Sequence, residues 1–227
     1  MWIRRTFALG GALVALGLIF AGAAVAAGTS VSVRVEGLTR TLLPATVVHT
    51  HSGSITKGGT PAGVCPATSA AGALDVATKH HWGGSYSAGL GLAVTQILGE
   101  THTFSSPDYW GVWVDNKFAQ AGVCGLTLHK GEQLLFAAVS DKGSPAPIVL
   151  NAPAHATTGK AFTVKVSYFD SKGKSHPLAG ALVKGAKNKT NAMGTVKITP
   201  TSAGKLKLSA SDKGYIRSAT ETVTVKA

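Results

Sequence analysis

The chain has 227 residues, a formal net charge of +12 and only ten Asp+Glu. Its two cysteines allow a single intramolecular disulfide, and no pair of its acids is spaced for acid–base catalysis. The G-x-S-x-G, H-E-x-x-H and G-x-x-x-x-G-K-[ST] signatures are missing too, so no catalytic residue is expected and the chain reads as non-enzymatic.

In chain order, Arg4 and Arg5 precede an uncharged apolar run from Phe7 to Phe20, which closes on Ala24-Val25-Ala26. A positive start, a short apolar stretch and a small-x-small site form a secretory signal peptide over residues 1–26; the other reading is an uncleaved anchor. No Cys follows the run, which excludes a lipid-modified N-terminus. No second long apolar segment follows, so no transmembrane segment is expected after signal removal. The expected location is secreted or extracellular, in contact with the envelope. In that oxidising setting Cys65 and Cys124 are expected to pair.

Charge divides the chain. Residues 27–147 carry seven Lys+Arg against seven Asp+Glu, and residues 148–227 carry thirteen against three, a balance of +10. The turn-rich, proline-containing segment after Asp141 marks a boundary. The expected organisation is therefore a first domain over 27–141, a linker at 142–147 and a second domain over 148–227.

In the first unit, Val31, Val33 and Val35 alternate as in a half-buried strand, and Thr41 to Thr50 supplies a hairpin partner. A Gly/Ser/Thr/Pro-rich stretch carries Cys65. Ala70 to His80 predicts a helix capped by Ser69, with Leu74, Ala77 and Thr78 on one side. Leu90 to Leu98 fits a strand or a short helix. Tyr109 to Val114 predicts a strand, Asp115-Asn116 a tight turn into Lys117-Ala119, and Leu134 to Val139 a buried strand. Two strands, a helix, then further strands predict an α+β domain of the β-grasp type.

The second unit reads as all strand. Phe162, Val164 and Val166 alternate, as do Val196 and Ile198, Leu206, Leu208 and Ala210, and Val223 and Val225. Turn residues separate these runs at regular spacing, which predicts an Ig-like β-sandwich.

VSVRVEG from residue 31, Ala73-Leu74-Asp75, YWGVWVDN over 109–116 and Leu128 to Phe136 occur in one order. In that order they resemble a secreted bacterial domain of unknown function related to the C-terminal domain of transcobalamin and intrinsic factor. The resemblance covers roughly residues 30–140. It implies a β-grasp fold and, from eukaryotic relatives that help enclose cobalamin, a corrinoid-like small-molecule ligand. PLAGALVKG, TNAMGTVKITPTSAGKLKLSAS and GYIRSATETVTV similarly resemble a bacterial Ig-like or carboxypeptidase-regulatory-like sandwich.

On the 109–114 strand, Trp110, Val112 and Val114 share one face and Tyr109, Gly111 and Trp113 the other. The valine-bearing face is expected to be core, with Trp110 as its anchor. Gly111 between two aromatics predicts a shallow slot for a flat ligand; the alternative is that this face packs against the second unit. Lys205 and Lys207 project from one sheet face, and Lys184, Lys187 and Lys189 lie on a neighbouring strand and turn, a candidate contact for anionic envelope polymers or an envelope protein. The alternative there is ordinary edge-strand solvation. The export signal argues against nucleic acid. His49, His51, His80 and His81 lack a convergent set of ligands, so neither a metal nor a cofactor is expected. The chain is thus expected to be a secreted binding or interaction protein at the cell envelope, with small-molecule carriage and a ligand-free structural spacer as alternatives.

Overall fold

The computed structural model describes residues 28–103, 105–140, 142–143 and 145–227. The expected signal peptide, residues 1–26, lies outside the described residues. In the N-terminal half, β1 (Ser30–Glu36) pairs antiparallel with β2 (Thr41–His49). Helix α1 (Ala70–Ala77) follows, then a meander of β3 (Trp82–Ser87), β4 (Gly91–Ile97) and β5 (Glu100–Thr101). β6 (Asp108–Val114), β7 (Lys117–Phe118) and β8 (Gln133–Ser140) complete a five-stranded sheet in the order β2-β1-β8-β6-β7, in which β1 and β8 run parallel.

One face of this sheet is the core. Val31, Val33 and Val35 of β1, Leu134, Phe136 and Ala138 of β8 and Trp110 and Val112 of β6 pack with α1 and the meander. The register places Val33 beside Leu134 and Val112 beside Phe136, so the period-two pattern of three strands falls on one face. The predicted turn is present: Asp115 and Asn116 both take positive φ (47° and 65°) between paired Val114 and Lys117. This is the left-handed geometry that Asp and Asn tolerate best in a two-residue hairpin.

The expected α+β, β-grasp organisation is not what the chain adopts. The described residues are mostly strand, with one α-helix of eight residues. Two physical features account for the difference. The helix stops at Ala77 rather than His80, because Lys79 and His80 turn to positive φ (52° and 68°) and the His80 N–H reaches back to the Asp75 carbonyl at 2.8 Å. Within Leu90 to Leu98, where periodicity allowed strand or helix, Gly91–Ile97 is a strand because Trp82–Ser87 pairs along its length. Ser69 also departs from its expected capping role, since its hydroxyl donates back to the Pro66 carbonyl at 2.6 Å.

The C-terminal half is built of β9 (Ala146–Asn151), β10 (His155–Thr157), β11 (Phe162–Phe169), β12 (Ser175–Pro177), β13 (Leu182–Val183), β14 (Thr195–Ile198), β15 (Gly204–Leu208), β16 (Ala210–Ser211), β17 (Tyr215–Ile216) and β18 (Glu221–Lys226). One sheet orders β10-β18-β15; another orders β12-β11-β9-β17, with β14 also on β11. Val164, Val166, Leu150, Ile198, Leu208 and Val223 meet between them as one buried cluster, the arrangement of a β-sandwich.

The halves meet on the second face of the first sheet. Trp113, Leu135, Ala137 and Val139 bury against Ile216 of β17. Beside this apolar contact Glu36, 1 % exposed, accepts from Arg34 (3.0 Å) and from Arg217 of the other half (3.1 Å). Arg217 also donates to the Gly37 carbonyl at 2.6 Å, and Thr41 donates to Glu36 at 2.9 Å. Burial is the largest influence on Arg34 and lowers its pKa; Glu36 opposes that shift without cancelling it.

Candidate functional site

Strand β6 stands between two clefts and supplies residues to both. On its core side, Trp110 and Val112 form one wall of a cleft of about 440 Å³; Leu92 and Val94 of β4 form another, and Ala119, Ala121 and Val123 a third. The walls follow from alternation: on β4, Leu92 and Val94 share a face, and the meander places that face opposite β6. Polar groups gather at one end, where His102, Thr103, Ser106 and Asp108 line the cleft.

Trp110 is 7 % exposed, and among the described residues its Nε1–H has no hydrogen-bond partner. A buried donor left unpaired costs about 1–3 kcal/mol, so its persistence needs an explanation. The ring is fixed from the side by His102, edge-on at 5.2 Å. His102 Nε2 in turn lies 3.0 Å from Glu100 Oε1, which also accepts the Leu38 backbone N–H at 2.8 Å. Burial acts most strongly on Glu100, pushing its carboxyl up. The hydrogen bonds from His102 and Leu38 and the charges of His102 and Arg40 together outweigh it and hold the carboxyl below its ordinary value.

The expected pairing is present: Cys65 and Cys124 form a disulfide. It ties the loop before α1 to the segment after β7, and the Ala71 N–H donates to the Val123 carbonyl at 3.1 Å. The disulfide therefore braces the Val123 wall of the cleft.

The other predicted positions lie as follows. Tyr109, Gly111 and Trp113 share the second face of β6, but no slot separates the rings. The Trp113 indole lies over Gly111, where an added Cβ would approach the ring to 2.6 Å. Trp113 is 4 % exposed and buried with Ile216, whereas Tyr109 remains exposed. Lys205 and Lys207 extend exposed from β15, opposite Thr224 and Thr222 of β18. Lys184 joins the far end of that strand through its N–H to the Ser209 carbonyl, while Lys189 lines a shallow depression together with Lys197 of β14. Lys187 is exposed in the turn between them. Two of the five lysines thus lie on β15 and three in the connection between β13 and β14. His49 and His51 are exposed, and no group of three His, Cys, Asp or Glu that could hold a metal occurs among the described residues.

Sequence reasoning missed a buried cluster around Asp75, which is 5 % exposed. Its carboxylate accepts the Trp82 Nε1–H at 2.8 Å and pairs with His80 Nδ1 at 2.6 Å. Lys57 lies 3.8 Å away and reaches over the Trp82 ring at 5.6 Å. An acid within an otherwise apolar helix was its available signal.

No family model matches the chain, and no curated protein matches it. Similar solved structures include haptocorrin in complex with Cbi, at 17% identity and a TM-score of 0.38, over 50% of this chain and 25% of that one. They also include a candidate metal binding protein from Ruminococcus gnavus, at 12% identity and a TM-score of 0.35, over 49% of this chain and 97% of that one. The match thus spans about a quarter of the haptocorrin chain.

Proposed function

We propose that this is an exported, non-enzymatic binding protein that takes a small, largely apolar ligand in the Trp110 cleft. The observation that carries this reading is the unpaired, buried Trp110 Nε1–H in the wall of an apolar cleft of about 440 Å³. A concave apolar site with a few polar groups at one end is the usual form of a small-molecule site. A ligand that places an acceptor against this wall supplies the partner that the indole N–H lacks.

The test uses the fluorescent apolar probe anilinonaphthalene sulfonate. The chain is expected to bind it saturably, and Ala121→Trp, which fills the exposed rim of the cleft, is expected to abolish binding. Equal binding by the variant overturns the reading. Cobinamide, titrated by its visible absorption, tests a corrinoid-like ligand in the same pair of proteins.

A second reading concerns location and rests on the +10 balance of residues 148–227. Their exposed lysines, Lys184, Lys187, Lys189, Lys205 and Lys207 among them, supply non-specific attraction to anionic envelope polymers. Co-sedimentation of the chain with isolated envelopes is expected at low salt and lost at high salt. No sedimentation at low salt removes this reading and leaves the cleft as the functional element.

A further inference from the structure

We propose that the cleft between the two halves, on the side of β6 away from Trp110, binds a glycan chain by stacking sugar rings on aromatic side chains. This goes beyond the Trp110 ligand: the two clefts share Tyr109 and Phe118, but Phe169, Lys213 and Tyr215 line this one and not the other. The cleft has a volume of about 520 Å³, and three of the chain's four tyrosines line it. Tyr109 and Phe118, 40 % and 36 % exposed, stand on the N-terminal side; Phe169 and Tyr215, partly exposed, stand opposite. Large rings are normally buried, so four converging on one opening need a reason other than packing.

Each wall is held rigid from behind. Trp113 lies over Gly111 and meets the Phe118 ring edge-on at 5.1 Å. Across the cleft, Tyr168 stacks on His176 at 5.2 Å, and Tyr215 leans on Tyr168 at the same distance. His176 is fixed by Asp170 at 2.8 Å. Rings held in place before binding lose little entropy when a ligand arrives.

The polar groups suit a hydroxyl-rich ligand. Ser171 and Lys213 are exposed at the rim, and the tyrosines add hydroxyls that both donate and accept. The carboxylate of Asp170 is already engaged: one oxygen accepts the Lys172 and Lys174 N–H groups and the other meets His176. A pyranose ring offers an apolar C–H face to an aromatic ring and equatorial hydroxyls to the rim, which matches this alternation. A proline-rich peptide uses aromatic walls as well but needs few rim donors.

The test is native affinity electrophoresis of the chain through gels containing hydroxyethylcellulose, xylan, glucomannan or glycol chitin, at high salt so that surface lysines contribute little. Retardation by at least one polymer is expected. Phe169→Ala is expected to weaken the apparent affinity about tenfold, in line with about 1.4 kcal/mol. Lys213→Ala, at an exposed position that does not disturb folding, is expected to weaken it several-fold. Ala121→Trp and the pair Lys205→Ala/Lys207→Ala are expected to leave it unchanged, which separates this site from both readings above. The inference is overturned if no polymer retards the chain. It is equally overturned if retardation survives both Phe169→Ala and Lys213→Ala, or if proline-rich peptides bind in place of glycans.

Discussion

Arg217 Nε lies 3.1 Å from Glu36 Oε2, a pair formed by residues 181 apart in sequence. Glu36 is almost fully buried, so its charge depends on Arg34, Arg217 and Thr41. Arg217→Leu leaves that carboxylate under-compensated and unties the Gly37 carbonyl. A stability loss of about 3 kcal/mol is expected in urea unfolding, the usual result of removing one partner of a buried pair. Replacing Arg34, Glu36 and Arg217 together with Met, Leu and Met is expected to restore most of it, because no buried charge then remains between the halves. A single variant within about 0.5 kcal/mol of the parent contradicts this account.

Trp110 makes an opposite prediction. Its indole nitrogen is buried without a partner among the described residues, so the N–H lowers stability as it stands. Trp110→Phe is expected to change stability by less than about 1 kcal/mol, since loss of ring volume is offset by removal of an unpaired donor. Trp110→Ala is expected to cost about 3–5 kcal/mol through the cavity it leaves. Thermal unfolding of both variants checks the ordering. If the phenylalanine variant is as unstable as the alanine variant, the indole N–H has a partner that stabilises the fold.

How much of this was legible in the sequence follows from where each signal resides. The alternation of Val31, Val33 and Val35, and of Trp110, Val112 and Val114, is local and identified the core face of two strands correctly. So did the Asp115-Asn116 turn, because positive φ is a property of two residues and their immediate partners. β3 left little trace, since Gly83, Gly84, Ser85 and Ser87 are weak strand formers; pairing with β4 imposes the conformation. Without β3, the balance of helix and strand was misjudged. For Trp113 the alternative reading, packing against the second unit, is the one the structure bears out, but the covering residue could not be named. Its parity on β6 gave the face, but what covers that face is Ile216, about a hundred residues later. The aromatic cleft combines β6 and β7 with β11 and β17, so neither run of sequence reveals it alone.

Acid sensitivity is expected from two carboxylates on different halves. For Asp170 the hydrogen bond with His176 is the largest influence, followed by the Lys174 N–H, and the group is held below its ordinary value. Glu100 is held low as well, against the effect of its burial. A carboxyl with a depressed pKa contributes fully above its unfolded value and loses that contribution as pH falls through the folded value. Ordinary values are about 3.9 for Asp and 4.3 for Glu, so stability is expected to be flat from neutrality to about pH 5 and to fall below about pH 4. Glu100→Gln and Asp170→Asn are each expected to flatten the acid limb. Melting temperature against pH checks this, and an unchanged acid limb in both variants rules these two groups out as its cause.

Loss of the Cys65–Cys124 disulfide is expected to affect both stability and the Trp110 cleft. The bond closes a sequence separation of 59 residues, for which the chain-entropy model gives about 4 kcal/mol. It also clamps the segment that carries Ala121 and Val123, a wall of the cleft, against the N-terminal turn of α1. In the Cys65→Ala/Cys124→Ala double variant that wall is held by core packing of Val123 and by backbone bonds such as Ala70 N–H to the Leu126 carbonyl, 3.2 Å. The urea midpoint is expected to fall, and probe binding in the Trp110 cleft to weaken at urea concentrations where the variant is still folded. Stability loss with unchanged probe affinity would show that the disulfide restrains the unfolded chain alone and that the cleft wall is set by packing on Leu74 and Trp110. Loss of both shows that the same covalent bond that stabilises the half also shapes its site.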